Sequence, residues 1–244
     1  MPFTFSHPAI VLPLTYLSKK RYSLTGLVIG SLTPDFEYFL RMSVKSTYSH
    51  TFYGLFWFDL PLGLLLAFAF HAIVRDSLLD HLPMFFKSRF LVFKQFKWNE
   101  FFYKNWLVVV VSILVGALSH ILWDSFTHEQ GYFVKINPSL TNTIIIFKHP
   151  VAFFKIIQHT SSILGALTIA ITVYKMPNFT IEIKSKNYRY WLSIVILTFI
   201  IIGIRLLSGL NINQYGNVIV SIISAFLLAF LLIPLLFAIT KYKA

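Results

Sequence analysis

The apolar residues of this chain fall in blocks, not in alternation. Five long runs, residues 52–74, 106–123, 156–174, 190–210 and 217–240, each approach or exceed the roughly 20 residues that a helix needs to cross a bilayer. None alternates with period two, so the pattern excludes a transmembrane barrel. Two shorter apolar segments precede them, residues 9–17 and 24–32. Each is too short to span, and together they predict an N-terminal helical hairpin buried against the bundle. Thr33-Pro34-Asp35 reads as a helix start, with a hydroxyl cap, a proline in the first turn and then acids. The expected fold is therefore all-α: a polytopic membrane helix bundle with five long spans plus the short hairpin, in a single membrane-embedded domain over residues 1–244.

Composition sharpens the picture. The 244 residues are 57% hydrophobic and 12% charged with a mean hydropathy of +0.71, which is membrane composition. The net charge of +12 sits in short connectors between apolar runs, which points to membrane orientation and away from a nucleic-acid groove. The connector 75–104, the segment 175–189 and the tail with Lys241 and Lys243 are basic. Residues 211–216 carry no charge, and 131–155 carry three lysines as their only basic residues besides His149. Positive-inside then places the three basic regions, and the C-terminus, in the cytoplasm, with Lys19-Lys20-Arg21 on the same side. The expected location is an integral position in a membrane that borders the cytoplasm. The N-terminus has no charged n-region, so no cleaved signal peptide is expected. With no cysteine, thiolate and disulfide chemistry are absent.

The chemistry concentrates in residues 118–129, where His120, Asp124 and His128 stand at i, i+4 and i+8, on one face of a helix. Imidazoles and a carboxylate on one stripe suit Zn, Mn or Fe. At about 1.5 Å rise per residue, His120 and His128 lie roughly 12 Å apart along an intact helix. They share one ion only if the helix ends between them, so His120 and Asp124 are the better pair. Isolated polar residues on a membrane helix also serve to bond neighbouring helices. With the orientation above, His7, Asp35, His50 and the 120–128 stripe all fall at the non-cytoplasmic end, and that convergence favours a metal site. Asp59, inside the first long run and before Pro61, needs a partner; it either orients a ligating histidine or bonds the backbone freed by the proline. Arg205, near the outer end of its span, either snorkels or holds a phosphate. There is no His-Glu-x-x-His, no Gly-rich phosphate loop and no Gly-x-Ser-x-Gly elbow.

These residues sit in motifs. Phe3-Thr4-Phe5-Ser6-His7-Pro8 is followed by Gly30-Ser31-Leu32-Thr33-Pro34-Asp35-Phe36-Glu37-Tyr38 and Ser49-His50-Thr51. Phe58-Asp59-Leu60-Pro61-Leu62-Gly63, Gly116-Ala117-Leu118-Ser119-His120 and Asp124-Ser125-Phe126-Thr127-His128-Glu129 complete the set. In them the chain resembles a family of uncharacterised bacterial membrane proteins, domain of unknown function 4184, over roughly its first 135 residues, with additional membrane helices in 136–244. More distantly it is similar to the inner-membrane metal-dependent hydrolases, which carry Pro-Asp-x-Asp-His, Gly-His-Arg-Gly-x-Thr-His and Leu-Ser-His-x-x-x-Asp segments. By position the resemblance carries the paired acids onto Asp35 and Glu37, the Thr-His histidine onto His50, and the last pair onto His120 and Asp124. Two departures stand out: Tyr38 replaces the histidine after the paired acids, and Lys45 stands where an earlier histidine is expected.

The reading is a membrane-bound metal-dependent hydrolase at the non-cytoplasmic face. His7, Asp35, His50, His120, Asp124 and His128 would hold one or two divalent ions, Zn or Mn. Glu37 or Glu129 would be the general base and Arg205 a phosphate contact. The lipid bilayer is the expected partner, with a phosphoester or lipid-linked substrate and no nucleic acid. Two non-enzymatic alternatives stay open. A metal or proton-coupled transporter would continue its polar groups to the cytoplasmic half, where His71 is the main candidate. A metal-stabilised scaffold needs no open coordination position.

Overall fold

The computed structural model describes residues 3–18, 21–179 and 188–242. Lys19, Lys20, Lys184, Lys186 and Lys243, which entered the orientation argument, lie outside the described residues. The described residues are mostly helical, with one small hairpin, and among them five segments are long and apolar enough to cross a membrane. These are Leu55–His81, Trp98–Ile136, Phe153–Lys175, Tyr188–Leu207 and Tyr215–Ala238, which match the five apolar runs. At most 39% of the most apolar stretch of each is buried within the protein. The rest is exposed hydrocarbon, as Phe199 and Leu207 show, and lipid is the environment that covers such a surface.

The chain divides into two compact units. The first comprises residues 1–35, 48–64 and 104–175. It opens with α1 (Pro8–Val11) and a 3-10 turn (Leu12–Tyr16), followed by α2 (Leu24–Gly30), so the expected N-terminal hairpin consists of short helical pieces. Ser23 caps α2 by accepting the Gly26 N–H at 3.1 Å. Next comes α3 (Thr33–Arg41), whose first turn holds Pro34 and Asp35 as the sequence predicts. Residues 48–64 carry a π-helical turn, Leu55–Asp59, and the start of α4 (Leu60–Ala69).

The second unit comprises residues 36–47, 65–103 and 176–244. It holds the remainder of α3 and α4, α5 (Arg75–His81) and α6 (Met84–Phe90), so the basic connector is partly helical. The first turns of α7 (Trp98–Thr127) also belong to it, and that helix departs from helical geometry at Asn105. Trp98, of a residue type enriched at membrane interfaces, is buried and stacked on His71, with ring centroids 4.6 Å apart.

Returning to the first unit, α7 is followed by α8 (Tyr132–Ile136) and an antiparallel hairpin, β1 (Thr143–Ile146) with β2 (His149–Ala152). The hairpin pairs Ile146 with His149 and turns through Phe147 and Lys148, both at positive φ. No sequence signal identified it, because its apolar residues are contiguous and its turn lacks the usual Asn or Gly. The unit closes with α9 (Phe153–Lys175). In the second unit, α10 (Tyr188–Leu207) and α11 (Tyr215–Tyr242) pack through Tyr190, Ile194, Ala229 and Ile233.

One crossing in the first unit positions the site. Gly30 and Gly26 of α2 face Gly116 and Ser112 of α7. A Cβ on Gly30 would overlap the Ile113 carbonyl, and one on Gly116 would overlap the Leu27 carbonyl. Small residues on both partners allow two backbones to approach this closely. Ser112 accepts the Ser23 N–H at 2.8 Å at the same crossing. The contact sets the end of α2, and so Ser31, directly against α7 one turn before its histidine.

Candidate metal centre

Asp35, His50, His120 and Asp124 each offer one donor atom, and the four atoms lie within 4.8 Å of one another. They form a ring in which nitrogen and oxygen alternate. His50 Nε2 is 3.5 Å from Asp35 Oδ1 and 3.5 Å from Asp124 Oδ2. His120 Nε2 is 3.5 Å from Asp35 Oδ1 and 3.4 Å from Asp124 Oδ2. These edges are too long for good hydrogen bonds. A point equidistant from four atoms joined by edges of about 3.5 Å lies about 2.1 Å from each in a tetrahedron and about 2.5 Å in a flat square; bonds from Zn to imidazole or carboxylate run about 2.0–2.2 Å. The ring therefore has the size of an ion's coordination shell, and this buried group could hold a metal ion.

Each donor is aimed by its surroundings. His120 is fully buried, and its Nδ1–H donates to the Ser31 carbonyl at 2.8 Å. That bond directs Nε2, with its lone pair, into the ring, as outer partners commonly do for a ligating imidazole. Asp35 Oδ2 accepts the Thr4 hydroxyl at 2.5 Å, which leaves Oδ1 to face both histidines. His50 Nδ1 is 3.1 Å from the Ser49 hydroxyl, so its Nε2 likewise turns inward. Among the described residues, His120 Nε2, Asp35 Oδ1 and both oxygens of Asp124 are buried without a hydrogen-bond partner. Three of these, His120 Nε2, Asp35 Oδ1 and Asp124 Oδ2, face one point, which would be costly unless a cation satisfied them.

Access is one-sided. The side chains of Asp35, His120 and Asp124 are at most 8% exposed, whereas His50 is 21% exposed and His128 is 29% exposed. Those two imidazoles form the partly exposed side of the site.

His7 and His128 flank the ring. The His7 imidazole stacks on His120, with centroids 3.7 Å apart, and its Nε2 is 3.6 Å from Asp124 Oδ1. Burial, with the His120 imidazole beside it, pushes His7 down to about 3, so the ring is neutral near pH 7. Burial would raise the Asp35 carboxyl, but His120 and His50 outweigh it and hold the group below the usual carboxylate range. Burial would lower His50, but Asp124 and Asp35 outweigh that and raise it. Helix α7 ends at Thr127, one residue before His128, whose backbone N–H still bonds the Asp124 carbonyl at 3.1 Å. His128 Nδ1 lies 3.6 Å from Asp124 Oδ2, but it also bonds the Asp124 carbonyl at 3.1 Å, which ties it to the helix end.

The remaining sequence candidates are placed elsewhere. Asp59 is fully buried at the end of the π-helical turn, a distortion often found at functional sites. Glu37 is buried in the second unit, where its carboxylate accepts from Arg41 Nε at 2.9 Å, the Thr47 N–H at 2.9 Å and the Ser46 hydroxyl at 3.1 Å. Arg41 Nη2 adds a contact at 2.8 Å. That carboxylate clamps the loop after α3. Glu129 is exposed, and Arg205, in the second unit, donates to the Ser208 hydroxyl at 3.2 Å. Two contributors escaped the sequence reading. Thr4 lies inside the Phe3–His7 motif, so its spacing from His7 was the available signal; the Ser31 carbonyl, a backbone group, has none.

Fold and site together define an integral membrane helix bundle with a buried carboxylate–imidazole ring. The family described as Domain of unknown function (DUF4184) matches residues 1–235, and the chain belongs to it. The match extends beyond the first 135 residues into the later membrane helices. No curated protein and no solved structure matches the chain.

Proposed function

We propose that the protein is a membrane-bound metal-dependent hydrolase acting on a phosphoester or lipid-linked substrate at the non-cytoplasmic face. The observation that carries this reading is the ring of Asp35, His50, His120 and Asp124, sized for one ion, with the His50 side chain partly exposed beside it. Two imidazoles and two carboxylates suit Zn or Mn. The ion would supply a water acidified towards neutral pH and a Lewis acid for the scissile oxygen. The chain's residues do the rest. His120 is fixed by Ser31 and Asp35 by Thr4, so neither reorganises when substrate arrives. Asp59 is assigned a supporting role behind the ligands. With Glu37 committed to Arg41, the exposed Glu129 beside His128 is the better candidate to move a proton. Arg205 is retained as a candidate phosphate contact. The distribution of lysine and arginine supports a bacterial inner-membrane protein with the site outward and the C-terminus in the cytoplasm.

The second reading, a metal-stabilised scaffold, is favoured by one specific feature: four protein donors around one point are enough to fill the positions of a structural site. One experiment separates the two. Purified protein is loaded with Zn²⁺ or Mn²⁺ and assayed on phosphodiester, phosphomonoester and phospholipid substrates. The hydrolase reading expects metal-dependent turnover, no bound metal in His120→Ala, and retained metal with lost turnover in Glu129→Gln. Bound metal with no turnover on any substrate class, together with a large drop in thermal stability on chelation, would leave the scaffold.

A further inference from the structure

We propose that the centre holds a second divalent cation, capped by His7 and joined to the first through Asp124 as a bridging carboxylate. The inference rests on the one-ion reading above. Its first ground is the division of labour on Asp124. Oδ2 faces His50 and His120, at 3.5 and 3.4 Å, and so belongs to the ring. Oδ1 faces His7 Nε2 at 3.6 Å. Among the described residues neither oxygen has a hydrogen-bond partner. A carboxylate whose two oxygens address different imidazoles, both beyond hydrogen-bond length, is arranged to bridge.

The second ground is His7 itself. It is 1% exposed, and among the described residues neither of its ring nitrogens has a hydrogen-bond partner. A buried imidazole in that state forfeits its water without compensation. His7 also stands outside the four mutually close donors, so it does not simply join their shell. It is held where it is at some expense of local structure. The Phe3 N–H donates to Ser162 Oγ at 3.0 Å, Ser6 Oγ donates to the Ser162 carbonyl at 2.9 Å, and Ser6 packs against Gly165. These contacts pin the segment to α9 on either side of Thr4, which itself holds Asp35.

The third ground is spacing. His7 and His120 lie nearly parallel, 16° apart in plane and 3.7 Å between centroids, and each directs Nε2 at a different oxygen of one carboxylate. Ions bound at those nitrogens would be separated by about the stacking distance, and paired catalytic ions stand about 3.5–4 Å apart. With His7 and Asp124 as its protein donors, the second position stays open to water and to substrate oxygens. That suits a phosphoester, whose attacking and leaving oxygens a pair of ions can clamp.

The test uses Mn²⁺ alone with the purified full-length protein, read by metal content per chain and by low-temperature electron paramagnetic resonance. The expected parent binds two Mn²⁺ per chain and gives the spectrum of an exchange-coupled pair. His7→Gln should bind one and give the spectrum of an isolated ion, and His120→Ala should lose both. A parent with one Mn²⁺ and an isolated-ion spectrum overturns the second site while leaving the first. A parent with none overturns both. A coupled pair that survives in His7→Gln overturns the assignment of His7. The parent measurement depends on no variant, so a misfolded substitution does not blunt the result.

Discussion

Replacing Gly30 with alanine tests whether the α2–α7 crossing builds the site. Alanine is favoured over glycine by at most about 1 kcal/mol at a helical position, and Gly30 is the last residue of α2, so propensity alone predicts no more than a modest stabilisation. Packing predicts the opposite. The new methyl would overlap the Ile113 carbonyl, a backbone group that moves only with its helix. A carbon–oxygen contact needs about 3.3 Å, so the two helices must part by roughly 1 Å. Overpacking of this kind costs about 1–3 kcal/mol, which outweighs the propensity gain over most of its range. The shift also reaches the metal centre. The Ser31 carbonyl that holds His120 Nδ1 at 2.8 Å follows Gly30 directly, and a bond lengthened by about 1 Å no longer qualifies as one. Losing such an outer partner typically lowers metal affinity about 10–100-fold. The assay is a metal-competition titration of Gly30→Ala against the parent, with thermal unfolding in detergent as the second readout. Parent-like affinity with unchanged or raised stability would refute the claim that this crossing aims His120.

Two further outcomes follow from the same structure. Glu37→Gln should lower stability by about 2–3 kcal/mol, because it leaves the Arg41, Ser46 and Thr47 donors facing an amide, yet leave metal content unchanged; loss of metal in that variant would show that the clamp extends to the ring. Metal affinity should fall on acidification, since ligands bind deprotonated and His50, raised by Asp124 and Asp35, keeps its proton to a higher pH than an ordinary histidine. Titration calorimetry in buffers of different ionisation enthalpy should therefore report proton release on binding near neutral pH, and none would contradict the assignment of His50.

The spans were legible because a bilayer demands about 20 consecutive apolar residues, and such runs leave little ambiguity. Trp98 shows where that reasoning fails. Its type predicts an interfacial position, but the partner that buries it, His71, lies 27 positions earlier on another span, and such pairing has no local signature. The hairpin over 143–152 escaped for a different reason. Period two is informative only when one face of a strand is wet and the other dry, and β1 is exposed along its whole length.

At the site, ligand identity was legible while ligand role was not. Asp35 and Glu37 are both acids near the start of one helix, separated by two residues. That step turns a helix by about 200°, so the two carboxylates must face nearly opposite ways. Asp35 meets Thr4 and the two imidazoles; Glu37 meets Arg41, which the i, i+4 spacing places beside it. The sequence therefore contained the clue that one of the pair was spoken for. Arg41 stands four residues after Glu37, while no cation stands three or four residues after Asp35. The surroundings of Asp124 fit the same logic: its i−4 and i+4 neighbours are His120 and His128, groups that can share an ion with it, and no lysine or arginine stands three or four residues to either side. A divalent ion at the ring would add positive charge beside this buried acid.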